Sequence, residues 1–224
     1  MTQETRRSFL HALAGAGFLA GNEGWRGVDA QTQSPPNPLL ALPSNLPVPV
    51  DDGACRHLPG LAVPGVKLRS TKDRWVDLSV ASPSRLVVYC YPRTGRPNQP
   101  VSPRWDEIPG ARGCTPETCS FRDHHKDLQK LGAEVYGLST QDTEYQKEMV
   151  ARLHVPFEVL SDVDLALVRA LRLPTFEFEG VTLVKRLTLV ISRQHIEKVF
   201  YPVFPTDKHA EAVIEWLRAH PLAG

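Results

Sequence analysis

The sequence predicts an α/β fold, a mixed central sheet with helices on both faces. Three observations carry this. The run Leu86-Val87-Val88-Tyr89-Cys90-Tyr91 is continuously apolar and rich in β-formers, the character of a strand covered on both sides. From Thr115 onward, helical and strand patterns alternate to the end of the chain. Two late strand patterns, Lys185–Ile191 and Ile196–Tyr201, are separated only by a short turn, so they pair antiparallel.

A chain of 224 residues with 42% hydrophobic content supports one ordinary domain with extensions. The formal net charge is +1, so no basic field points to nucleic acid or to anionic lipid. Gly-rich phosphate loops and His-Glu-x-x-His are both absent.

The N-terminus carries an address. Thr5-Arg6-Arg7-Ser8-Phe9-Leu10 resembles the twin-arginine export motif, and a Gly/Ala-rich apolar segment follows from Leu10 to Gly21. That segment is too short for a bilayer, which needs about 20 residues. Val28-Asp29-Ala30 places small residues at a cleavage site. Residues 1–30 are therefore expected to be a signal, with periplasmic export and no stable membrane contact after removal. Residues 31–44 form a Pro-rich linker, and the domain occupies 45–224.

Val66–Ser70 and Trp75–Leu78 alternate around Thr71-Lys72-Asp73 and predict a hairpin. Cys90 sits inside the apolar strand and is expected to be core. Cys55, in a turn-rich segment, leaves open a free thiol, a bonding partner or a packed residue. Arg93 to Pro109 has four prolines and no periodicity. A long loop of this kind in a compact domain is usually functional or disordered. With Trp105 and Ile108 to pack, it is expected to form a lid or wall beside the site described next.

Cys114 falls where a loop turns into the helix predicted over Thr115–Leu131. Helix starts offer unpaired N–H groups and a positive dipole end, which favour a thiolate. Pro116 suits an opening turn. Arg112 and Arg122 add positive charge if they face inward. Glu117, in the first turn, is expected to cap the helix, or else to organise Arg186 or Arg122. Cys119 lies five residues on. Within one helix the two α-carbons are about 8 to 9 Å apart, beyond the roughly 7 Å a disulfide tolerates. A bonded pair therefore requires the first turns to unwind; the alternative is two core cysteines. His124 and His125 are expected on the solvated helix surface, since their spacing suits no metal with the cysteines.

Beyond the helix, strands are predicted at Glu134–Leu138 and Phe157–Leu160, and helices at Gln141–Leu153, 163–171 and Thr206–His220. A hairpin over 176–183 turns at Gly180.

The run Gly-Cys-Thr-Pro-Glu-Thr-Cys-Ser-Phe-Arg-Asp (113–123) resembles the active-site signature of peroxiredoxins. The branch is the Q-type, or bacterioferritin comigratory protein, of the alkyl hydroperoxide reductase/thiol-specific antioxidant group. Val-Val-Tyr-Cys-Tyr-Pro (87–92), Tyr-Gly-Leu-Ser-Thr (136–140), Leu-Ser-Asp (160–162) and Arg-Leu-Thr-Leu-Val-Ile (186–191) follow family order. The resemblance implies a thioredoxin-like fold and a thiol peroxidase without cofactor or metal. It implies Cys114 as peroxidatic cysteine, Cys119 as resolving cysteine and Arg186 as the arginine beside the thiolate. It further implies a peroxide substrate and a thioredoxin-like thiol donor. The chain departs from the family pattern Pro-x-x-x-Thr-x-x-Cys. Ala111 stands where the threonine belongs, and Pro92 lies 22 residues before Cys114. About fifteen residues near 93–109 therefore look inserted, and Thr94 or Thr115 is left to supply the missing hydroxyl. Two rival readings are a thiol–disulfide oxidoreductase or redox sensor, and a copper-binding protein of the same fold.

Overall fold

The computed structural model describes residues 39–222 except 81, 83 and 98. The expected signal (1–30) and most of the expected linker (31–38) lie outside the described residues. In chain order the first strands are β1 (Lys67–Ser70) and β2 (Trp75–Asp77), an antiparallel hairpin with Leu68 opposite Val76. Asp73, at φ 58°, makes its turn. β3 (Arg85–Cys90) is buried at every position. One helical turn, α1 (Pro103–Asp106), interrupts the proline-rich stretch. It starts at Pro103, whose missing N–H costs nothing at a helix N-terminus.

The predicted helix over 115–131 is two helices, α2 (Cys114–Asp123) and α3 (His125–Lys130). The break is at His124, whose ring bonds the Ser120 carbonyl at 2.9 Å. The His124 amide donates to the same carbonyl at 3.1 Å, so ring and backbone share it where the helix ends. Neither histidine is fully solvated as expected: both are half-buried, and His125 packs on the Phe157 ring at 5.4 Å.

β4 (Ala133–Ser139) follows, then α4 (Thr143–Leu153), which Asp142 caps by accepting from the Tyr145 amide at 2.7 Å. After β5 (Glu158–Ser161) comes α5 (Ala166–Leu171), shorter than predicted. Asp162 accepts from the Leu167 and Val168 amides, at 3.2 and 2.8 Å, and thereby delays the helix start. β6 (Thr175–Phe178) and β7 (Val181–Val184) form the expected hairpin through Glu179 and Gly180, both at positive φ. β8 (Leu187–Ser192), β9 (His195–Phe200), a short 3₁₀ turn at Thr206–Lys208 and α6 (His209–Ala219) complete the domain.

The main sheet runs β2-β1-β5-β4-β3-β8-β9. β3, β4 and β5 are parallel; β8 joins β3, and β1 joins β5, antiparallel. It is thus mixed. β3 supplies alternate side chains to two cores: Val87 and Tyr89 meet α2, α4 and α6 on one face, and Leu86 and Val88 meet α5 on the other. The hairpin of β6 and β7 stays outside this sheet and forms a third small core with Trp105.

Candidate active site

β3 points the chain toward the site, and the backbone continues through Pro92 into the 93–109 stretch. It returns at Gly113, in the left-handed region at φ 103°, and α2 begins at once with Cys114. A side chain at Gly113 would collide with Thr206 Oγ1 and lie 3.1 Å from Leu42 Cδ2. Conformation and space both require glycine there. No side chain caps this helix start. The expectation that Glu117 caps it is corrected: the Glu117 carboxylate instead takes Nη1 of Arg186.

Arg186 precedes β8 and is buried at 3% exposure. Its Nη2 donates to Cys114 Sγ at 3.0 Å. The rest of the guanidinium is held by backbone: Nε donates to the Gly110 carbonyl at 3.1 Å, and Nη2 to those of Ala111 and Arg112 at 3.1 and 3.3 Å. The loop before the helix thus fixes the cation, and the cation fixes the loop. A planar fork with five donors suits this role as an ammonium would not.

Cys114 is 4% exposed and a free thiol. Burial pushes its pKa up from the ordinary value; the Arg186 charge opposes this, Glu117 adds to it, and hydrogen bonds from the Arg186 side chain and the Arg93 backbone lower it. The helix start is expected to favour the thiolate; burial instead sets the direction of the shift. Desolvation outweighs the cation here. Burial also pushes the Glu117 carboxyl up to about 7 against the pull of Arg186. Its Oε1 finds no hydrogen-bond partner among the described residues.

Cys119 stays in α2, half-buried and free. Burial raises its pKa and Arg122 lowers it. Arg122 is therefore grouped with the second cysteine, not the first; it bonds Asp123 at 2.8 Å and the Leu153 carbonyl at 2.9 Å. The two threonines proposed as substitutes both line the cavity that Cys114 lines, a space of about 280 Å³. Thr94 is buried, and its hydroxyl faces Gln141 Oε1 at 3.3 Å. Gln141 and Tyr145 clamp the same residue: the Thr94 amide donates to Gln141 Oε1 at 2.8 Å, and its carbonyl accepts from Gln141 Nε2 at 3.2 Å and Tyr145 Oη at 3.0 Å.

Gln141 and Tyr145 were not singled out in the sequence. No local spacing marks them, because they reach the site from just before α4 and from its first turn, 47 and 51 positions after Thr94. Leu39, from the expected linker, also lines the cavity, and Arg112 Nη2 donates to the Ala41 carbonyl at 3.5 Å. The proline-rich stretch does wall the site, with Trp105 on the cavity lining. Cys90 is core, and burial pushes its thiol well above the ordinary value. Cys55 is a packed residue whose thiol burial pushes up to about 12. Among the described residues, no three of His, Cys, Asp and Glu converge to hold a metal.

Residues 108–199 match the AhpC/TSA family. Peroxiredoxin Q, chloroplastic, from Sedum lineare is 30% identical over 161 residues, covering 71% of this chain and 77% of that protein. The peroxiredoxin Q of Oryza sativa subsp. japonica is 32% identical over 161 residues, and the match spans 66% of its length. The fold resembles peroxidoxin BcpB from Mycobacterium tuberculosis, with TM-score 0.60, 25% identity, and coverage of 74% of this chain and 100% of that one. It also resembles peroxiredoxin Q from Xanthomonas campestris, with TM-score 0.59, 25% identity, and coverage of 73% and 97%. The signature at 113–123, the thioredoxin-like sheet and these similarities converge: the chain belongs to the AhpC/TSA family, in its peroxiredoxin Q branch.

Proposed function

We propose that this peroxiredoxin is a thiol-dependent peroxidase in which Cys114 reduces the peroxide and Cys119 resolves the product. The observation that carries the reading is the 3.0 Å approach of Arg186 Nη2 to Cys114 Sγ beside an open cavity. The thiolate sulfur attacks the terminal oxygen of a hydroperoxide. An S–O bond forms as the O–O bond breaks, and the leaving alkoxide or hydroxide takes a proton. Arg186 offsets negative charge on sulfur and on the departing oxygen.

Cys114 is left as a sulfenic acid. Condensation with the Cys119 thiol expels water and forms the disulfide. This requires α2 to unwind at its start, since both cysteines sit in one helix. Unwinding breaks the Glu117–Arg186 pair and the contact of Tyr89 Oη with Thr118 Oγ1 at 3.3 Å. A thioredoxin-like dithiol then reduces the disulfide by exchange. The chemistry needs no metal or organic cofactor.

The N-terminal segment supports export to the periplasm through its twin-arginine-like motif. The plant relatives above are named chloroplastic, so addressed members of this branch exist. Fractionation of the tagged full chain tests this: retention in the cytoplasm with an intact N-terminus rules export out.

Peroxide consumption by the reduced protein, followed with a dithiol donor, tests the activity. Cys114→Ser is expected to abolish it; full turnover by that variant sinks the assignment.

A further inference from the structure

We propose that the cavity beside Cys114 selects organic hydroperoxides that carry an anionic group, a carboxylate foremost, and that Arg93 and Arg112 recognise that group. The inference rests on the peroxidase reading of Cys114. Its grounds are the size and the lining of the cavity. A volume of about 280 Å³ is far more than hydrogen peroxide fills, since a water molecule's share of the liquid is about 30 Å³. Among the described residues, the lining combines an apolar wall, from Leu39, Pro100, Val101 and Trp105, with two arginines and no aspartate or glutamate. An apolar body with an anionic end matches that composition, and a neutral alkyl peroxide uses only half of it.

Both arginines are built in. Arg93 stacks over the Trp105 ring at 4.6 Å and the Phe178 ring at 4.7 Å, and pairs with Glu179 at 3.3 Å. Arg112 pairs with Asp106 at 3.3 Å. The side chains of Glu179 and Asp106 are 48% and 36% exposed and neither residue lines the cavity. The acidic partner of each pair reaches solvent, where charge attraction is weakened, and a guanidinium has five donors, so a substrate carboxylate can share or replace that outer partner. The positive end of α2 faces the same space through Cys114 and Thr115. Arg93 opens the inserted stretch and Arg112 lies just after it, two residues before Cys114, so the insertion brings one of the two charges to the site.

The reaction is the one above. Sulfur loses two electrons, the peroxide bond takes them, and the organic product leaves as a hydroxy acid after its alkoxide gains a proton.

The test compares a short hydroperoxy carboxylic acid with its methyl ester and with hydrogen peroxide, using the native full-length protein and a dithiol donor. The expected result is a kcat/KM for the acid about tenfold above the ester at low ionic strength, with the ratio shrinking as salt is added. Arg93→Gln and Arg112→Gln should each move the acid-to-ester ratio toward one. Equal rates for acid and ester in the native protein, with hydrogen peroxide consumed, overturn this inference and leave the peroxidase standing. No consumption of any of the three by the folded, reduced protein overturns both. The native comparison and its salt dependence need no variant to fold.

Discussion

Arg186 reaches Cys114 Sγ at 3.0 Å from a position 72 residues later in the chain, and the same guanidinium grips Glu117 and three loop carbonyls. The cation that bonds the thiol is thus also the clasp of its loop. Arg186→Lys keeps the charge but loses the fork. The expected outcome is a peroxide rate constant lower by on the order of 100-fold and a Cys114 pKa shifted further upward. Peroxide kinetics and pH-dependent alkylation of Cys114 measure the two. An unchanged alkylation profile would show that the arginine does not act on the sulfur.

Cys119→Ser should leave the first oxidation intact and stop donor-driven cycling after one equivalent of peroxide. Mass spectrometry should then find Cys114 as sulfenic acid or its trapped adduct, and the unaltered protein should show the Cys114–Cys119 disulfide. Continued turnover by Cys119→Ser would mean that another thiol resolves the intermediate.

Glu117 predicts a pH dependence of stability. In the folded protein burial holds its proton up to about pH 7, whereas its ordinary value is 4.5. Between those values the folded state binds more protons than the unfolded one. Stability from this group is therefore fully present below about 4.5 and is lost as pH rises through about 7. Glu117→Gln should flatten that part of the profile in denaturant titrations run at several pH values. An identical slope in the variant would assign the dependence elsewhere.

Trp105 is 4% exposed, with its ring 4.9 Å from that of Phe178 and 6.0 Å from that of Phe176. Truncating a packed aromatic costs about 3 kcal/mol. Here the cost should fall mainly on the loop and on the β6–β7 hairpin, because their small core stands apart from the two cores of the main sheet. Trp105→Ala should raise hydrogen exchange in residues 93–112 and 175–184 and lower kcat/KM for bulky hydroperoxides several-fold. A stability loss with normal turnover would count against a wall role.

Much of this was legible locally. The strand over Leu86–Tyr91, the hairpin at Gly180 and the start of α2 each follow from patterns a few residues wide, where turn chemistry and periodicity decide. The helix break at His124 was not legible, because no local pattern marks the residue whose ring and amide share the Ser120 carbonyl. Arg112 and Arg122 illustrate a further limit. Both are arginines close to Cys114 in sequence, yet the cation that reaches the sulfur is Arg186. The Q-branch motif implied it; charge and spacing alone did not.

The amino-acid sequence alone determined the class of fold, the placement of Cys114 at a helix start and that of Cys119 five residues on in the same helix. These are consequences of backbone geometry within one segment. The tertiary structure alone decided the balance at the sulfur, where desolvation by the surrounding core is set against one distant guanidinium. It also decided that Gln141 and Tyr145 clamp Thr94, and that Leu39 and the inserted stretch line the site. Those outcomes depend on which distant surfaces exclude water together, and chain-local patterns carry no record of that.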